Sequence, residues 1–173
     1  MELEVLGWPP DGPALRLDHE RFAYAGKFVM TDTGKAVGSE DDEVVAAASF
    51  SEDRTDGTVL RIRYITVAAD RRGEGLGPAL ADFVAGKARQ RGHERVKIAV
   101  NNPYAYEALY RAGFIFTGEA TGLAELVLAR PRTDTATGYE EGLRRFLEDD
   151  RSDEERAFVQ RQLAAGPPDA GSR

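Results

Sequence analysis

The stretch that most constrains this chain is Val67 to Leu80, VAADRRGEGLGPAL. It reads as the end of a strand, a loop with glycine at alternate positions, and the first turn of a helix. Gly73, Gly75 and Gly77 carry no Cβ, so the backbone can approach an anion closely and adopt positive φ. The helix that follows adds free first-turn N–H groups and roughly half a positive charge of dipole. A diphosphate cradle has this build. The alternative is a glycine-rich turn without a ligand, and against it stands the backbone entropy each glycine loses on folding. Two better-known phosphate loops are excluded. A dinucleotide fingerprint needs G-x-G-x-x-G, whereas Gly77 comes one place early and Pro78 stands where the third glycine should be. A P-loop needs Gly-Lys-Ser/Thr at the helix start, and the sequence has no such triplet.

The flanking segments fit a strand–loop–helix unit followed by a second one. From Pro78 to Arg91, Leu80, Phe83, Val84 and Ala88 recur at the spacing of one helix face. Pro78 suits the first turn, where its missing N–H has no helical partner. It withdraws one phosphate donor, leaving the amides of residues 73 to 77 and of Ala79. Gly92 follows the helix end. Arg95 to Val100 is a short strand. Asn102 then reads as an N-cap and Pro103 as the first residue of a helix running to Ala112, stopped by Gly113.

With these residues in view, Arg72-Gly73-Glu74-Gly75-Leu76-Gly77 resembles the R/Q-x-x-G-x-G/A loop of the GCN5-related N-acetyltransferase (GNAT) superfamily. NNPYAYEALYRAGF resembles its second signature, N…A..LY…GF. The resemblance covers about Glu2 to Arg130. It implies a mixed, mostly antiparallel α/β sheet flanked by helices, with the central strands ending at Val67 and Val100 splayed so that pantetheine can pair between them. It also implies that acetyl-coenzyme A is the co-substrate. Its contacts would be the main chain of Val67, Ala68 and Ala69, the loop residues Arg72, Gly73, Glu74, Gly75, Leu76 and Gly77, and Asn101 and Asn102. Tyr110 would be the general acid toward the leaving thiolate. Two departures stand out. One extra residue separates Asn102 from Tyr110, and Tyr106 occupies the place where a small residue is usual.

The implied reaction is direct attack of an amine on the acetyl thioester. An alkyl ammonium with pKa near 10.4 is only about one part in 2,500 neutral at pH 7, so an acceptor of that kind needs a base. Members acting on histone lysines carry a glutamate six residues before the position of Val67; here that residue is Arg61, which cannot serve. Asp18, His19, Glu20, Glu119, Glu125, or water chained through Tyr64 or Thr66 stay open. Arg61 and Arg63 share one strand face, either solvated or forming an anion-binding wall. A catalytically silent acetyl-coenzyme A sensor and an unrelated nucleotide-phosphate binder are the alternatives to an enzyme.

Elsewhere, Glu2 to Leu6 alternates like a strand, Ala14 to Leu17 reads as a second short strand or the same one resumed, and Asp18 to Met30 suits either a short helix or a strand. Thr31 to Glu43 reads as loop. Val44 to Phe50 and Val59 to Val67 read as an antiparallel hairpin. Phe114 to Phe116 and Leu123 to Ala129 complete the sheet, and residues 1–131 form the acetyltransferase domain. Residues 132–173 read as a helical extension not needed for that fold, with helices at Gly138 to Glu148 and Asp153 to Ala165 and a disordered tail. Ser152 with Glu155 makes a capping box. A net charge of −7 with acidic clusters argues against nucleic acid. Zero cysteines and two histidines leave no disulfide and little for a metal site. Without a long apolar run or a leader pattern the expectation is a cytoplasmic chain that needs no membrane, with a homodimer left open.

Overall fold

The computed structural model describes residues 1–122, 125–131, 138–148 and 150–168. It is a mixed α/β protein whose contacts fall into two compact units, Met1–Val96 and Lys97–Arg173.

The first unit is an antiparallel meander, β1 (Glu2–Gly7), β2 (Gly34–Glu40), β3 (Glu43–Glu52) and β4 (Val59–Val67), followed by helix α1 (Leu76–Gln90). The β3–β4 hairpin is the one expected from its β-branched runs. Ala46, Ala47 and Ala48 of β3 are all 0% exposed, so both of its faces are covered. Alternation puts Ala47 on the side of Phe28 and Val37, while α1 packs along β1 to β4 through a buried stripe of Leu80, Ala81, Val84, Ala85 and Ala88. Small residues on β3 let neighbouring elements approach closely. Between Ser49 and Phe50 the register slips: these two face Tyr64 and Ile62, which leaves Arg63 as the extra residue of a β-bulge.

Three local readings are corrected. Ala14 to Leu17 forms no strand, and Asp18 to Met30 is neither a helix nor a strand but a run of turns ending in a 3₁₀ turn, Ala25–Val29. Its apolar residues serve as plugs: Phe22 and Ala25 pack on Ala68, and Phe28 packs on Val37 and Ala47. The stretch read as loop contains β2. Its glycine, serine and lysine hid a strand that is covered on both sides, with Ala36, Val37 and even Lys35 buried. Lys35 Nζ donates to the carbonyl oxygens of Met30 (2.6 Å) and Thr33 (3.0 Å) and to Thr33 Oγ1 (2.7 Å). Burial lowers its pKa, against the pull of Asp32.

β5 (Arg95–Val100) carries the chain into the second unit. There follow α2 (Pro103–Arg111), the antiparallel pair β6 (Ile115–Thr121) and β7 (Glu125–Arg130), α3 (Tyr139–Arg145) and α4 (Asp153–Ala165). Asn102 caps α2 as its sequence requires, accepting the Ala105 N–H at 2.8 Å with Pro103 in the first turn. Ser152 likewise caps α4 through the Glu155 N–H at 3.1 Å. β6 continues to Thr121, past the end expected from sequence; Leu123, where the last strand was expected to begin, and the expected disordered tail lie outside the described residues.

The C-terminal helices are part of this unit's core. Tyr139, Leu143 and Phe146 are buried, with Phe146 edge-on to Tyr106 at 5.7 Å. α4 packs on α2 and α3, burying Val159 and setting Phe158 4.5 Å from Tyr104. This also explains the bulky Tyr106. Facing it, α3 presents Gly142, where a Cβ would run into the Tyr106 hydroxyl and come within 2.9 Å of the Phe116 ring. The volume added on α2 is removed on α3.

Candidate active site

In the first unit, β4 ends at Val67, a 3₁₀ turn covers Ala69–Arg71, and the glycine loop leads into α1. Gly73 and Gly75 take φ of +84° and +81°, in the left-handed region that side chains rarely adopt. Among the described residues, a Cβ added at either would meet no atom beyond its chain neighbours within 4 Å. These glycines are therefore not required by packing; they keep an open backbone surface free of side chains. The helix starts at Leu76, two residues before the expected start, with Gly75 as N-cap and no side-chain cap. Among the described residues, no N–H of residues 73 to 77 meets a protein acceptor outside regular helix or strand bonding. Ala79 N–H, counted above as a donor for the ligand, bonds Gly75 O at 3.2 Å. The donor set is thus narrower, and it is concentrated at a helix N-terminus. The loop fits a diphosphate.

Two arginines flank this loop in different states. Arg71 reaches both carboxylate oxygens of Glu74 (2.9 and 3.1 Å) through Nε and pairs with Glu40 of β2, so its charge is engaged and the Glu74 charge is offset. Hydrogen bonds from Arg71 lower the Glu40 pKa. Arg72 is exposed and makes no ion pair among the described residues, which leaves it available to an anion. No local pattern signals the Arg71 tie, because its partner Glu40 lies 31 residues upstream on β2, a strand of loop-like composition. Of the other main-chain groups assigned to the coenzyme, Ala68 N–H donates to Val45 O (2.9 Å) and Ala69 N–H to Arg21 O (2.8 Å). Ala69 keeps only its carbonyl for a ligand.

Arg61 pairs with Asp53, and Arg63 Nε donates to Ser51 Oγ at 2.7 Å with its guanidinium on Glu52 O at 3.2 Å. Both heads are held by residues in and just after β3, so they are not a free anion-binding wall. Among the candidate bases, Asp18, His19 and Glu20 lie on an exposed turn, with Asp18 accepting the Glu20 N–H. The Tyr64 ring lies tilted against that of the exposed Tyr24 at 5.4 Å, Tyr24 having a φ of +61°, and Thr66 is buried.

In the second unit, Asn101 O accepts from Arg151 (2.8 Å), and the Asn102 amide donates to Asn101 Oδ1 at 3.3 Å while its oxygen caps α2. Both asparagines thus hold local structure. Glu119 pairs with Lys97 at 3.0 Å, and Glu125 opens β7. Tyr110, on the buried side of α2, is 8% exposed. Its ring meets Tyr139 edge-on at 4.7 Å and lies 6.1 Å from Tyr106. The Tyr139 hydroxyl donates to Glu107 Oε2, a carboxylate only 6% exposed that also receives Arg111 at 3.4 Å; the Tyr106 hydroxyl donates to Tyr139 O at 2.9 Å. Burial pushes both the Tyr106 and Tyr139 hydroxyls well above the ordinary tyrosine range, and the bond to Glu107 raises Tyr139 further. No local pattern in the sequence signals Glu107 or Tyr139 as part of this cluster.

Among the described residues no group of acidic or histidine side chains is placed to hold a metal ion, and no helix is long and apolar enough to cross a membrane. No curated protein sequence matches the chain. Solved structures do. An N-acetyltransferase from Staphylococcus aureus Mu50 is 17% identical, with 56% of this chain and 66% of that one covered at a TM-score of 0.50. An IAA acetyltransferase from Bacillus cereus ATCC 14579 is 21% identical over 56% of this chain and 76% of that one, TM-score 0.45. A Bacillus subtilis acetyltransferase in complex with CoA is 16% identical over 56% and 75%, TM-score 0.49. The first of these shows a shared fold. The model of the acetyltransferase (GNAT) family matches residues 3–114, a span that contains the glycine loop, both asparagines and Tyr110. The chain belongs to the acetyltransferase (GNAT) family and is an acetyltransferase whose co-substrate is acetyl-coenzyme A.

Proposed function

We propose that the chain is an N-acetyltransferase that moves the acetyl group of acetyl-coenzyme A to an amine by direct attack. The observation that carries this reading is the Gly73–Gly77 loop, with two left-handed glycines on an open face and uncommitted amides at the start of α1. Those amides and Arg72 would hold the pyrophosphate. Main-chain groups of Val67 and the Ala69 carbonyl would align the pantetheine arm. The amine nitrogen bonds to the acetyl carbon as the carbon–sulfur bond breaks, and Tyr110 gives its hydroxyl proton to the departing thiolate. The proton released by the amine passes to water or a base. With Glu119 paired and Arg61 in the strand position where histone-directed members carry a carboxylate, water is the acceptor best supported, and it suits an amine of low pKa.

Thiol release from acetyl-coenzyme A across a panel of amines of graded pKa tests this. Release that requires an amine, and is fastest for amines already neutral near pH 7, supports the proposal. Micromolar acetyl-coenzyme A binding with no release for any amine would favour the second reading, a silent coenzyme-binding sensor, to which the Arg61–Asp53 pair lends support.

A further inference from the structure

We propose that Tyr139, at the start of α3, is a positioning residue for Tyr110. This rests on the reading of Tyr110 as proton donor and adds how its ring is held. Tyr110 projects from a nine-residue helix, α2, where Tyr106 one turn earlier flanks its ring at 6.1 Å, and holding the ring's tilt takes a constraint from a second direction. The edge-on contact at 4.7 Å from Tyr139 supplies that constraint. Tyr139 is in turn fixed at two points. Its hydroxyl donates to the buried Glu107, one turn before Tyr110's own position on α2, and its carbonyl receives the Tyr106 hydroxyl. Glu107 is steadied by Arg111, four residues on. The result is a closed circuit: α2 holds Tyr139 through Glu107 and Tyr106, and Tyr139 holds Tyr110 of α2. Such a circuit lets the segment after β7 set the direction of a catalytic hydroxyl without itself touching the substrate.

A ring free to tilt misplaces its hydroxyl, and a misplacement of about 1 Å can lower turnover about 100-fold. The test is a double-mutant cycle on the full chain, reading kcat, the Kd for acetyl-coenzyme A and the melting temperature. Tyr139→Leu should lower kcat about 10- to 100-fold with acetyl-coenzyme A affinity nearly unchanged. Tyr139→Phe, which keeps the ring and loses the bond to Glu107, should give a smaller loss. Once Tyr110→Phe has removed the proton donor, neither change at Tyr139 should lower kcat further. A Tyr139 effect of equal size in both backgrounds overturns the positioning role, as does an unchanged kcat in Tyr139→Leu. An unchanged kcat in Tyr110→Phe alone overturns the reading of Tyr110, and this inference with it. If Tyr139→Leu does not fold, Tyr139→Phe completes the same cycle with the same criteria.

Discussion

In the Gly73–Gly77 loop the groups we propose for the coenzyme are backbone amides, presented on an open face; around Tyr110, the proposed proton donor, they are side chains, packed ring against ring and mostly buried. A backbone-built site is specified by what is missing. Gly73 and Gly75 would crowd nothing among the described residues if they carried a Cβ, so their cost is justified by what they admit. A side-chain-built site is specified by what is added, and each residue needs others to hold it. The first kind should fail when anything is inserted and the second when anything is withdrawn.

The largest effect should come from inserting a side chain into the loop. Gly75→Val combines a strained φ with a blocked face and should abolish acetyl-coenzyme A binding in calorimetry while the chain still folds, with stability lowered by about 1–3 kcal/mol of backbone strain. Gly86→Ala, inside α1 at an ordinary φ with equal space around it, should bind normally and gain up to about 1 kcal/mol in stability. Unchanged binding by the Gly75 variant would erase the contrast. Next, Tyr110→Phe should lower kcat by about 10²- to 10⁴-fold with little change in coenzyme affinity, the typical worth of a general acid.

The third prediction sharpens the packing side. Gly142→Val forces a branched side chain against Tyr106 and Phe116 and should lower stability by about 1–3 kcal/mol in denaturant titration. Tyr106→Ala in the same chain should recover part of that loss, because it removes the obstructing ring. No recovery would mean that Tyr106 and Gly142 are not a matched pair.

The smallest effect concerns Asp53. Its carboxyl is held well below the ordinary carboxylate range, first by Arg61 and then by the N–H and hydroxyl of Thr55. A depressed folded-state pKa gives stability that is fully present above the unfolded value near 4 and is lost as pH falls below it. The melting-temperature difference between the parent and Asp53→Asn should therefore be constant above about pH 5 and shrink as pH drops below about 4. A difference independent of pH would show that the ion pair adds nothing of its own.

The same contrast governs what could be read from the amino acids. Gly73, Gly75 and the Asn102-Pro103 cap act through backbone conformation that each residue dictates locally, so the loop, α1 and the start of α2 were legible. Their fold class and family followed from that order of local signals. Tyr139 and Glu107 matter because of where tertiary packing puts them, and neither carries a local mark. β2 was lost for a related reason. Strand propensity reports a half-buried pleated surface, and a strand covered on both sides can be made of Gly, Lys, Ala and Ser once neighbours supply the bulk. The run from Asp18 to Met30 misled in the opposite direction: its aromatics signalled regular structure but serve as separate plugs on an irregular path.

Lys35 gives the chain a built-in chemical reporter. The sequence has only four lysines, at 27, 35, 87 and 97. Lys27 is exposed, Lys87 and Lys97 are half-buried, and Lys35 alone is fully enclosed with its ammonium tied to the Met30–Thr33 turn. An amine-directed footprinting reagent in pulses of increasing length should mark Lys27 at once and Lys35 only at the rate at which that turn opens. One peptide in a mass spectrum would then clock the local breathing of the segment bearing Phe22, Ala25 and Phe28, without a label having to be engineered into the protein.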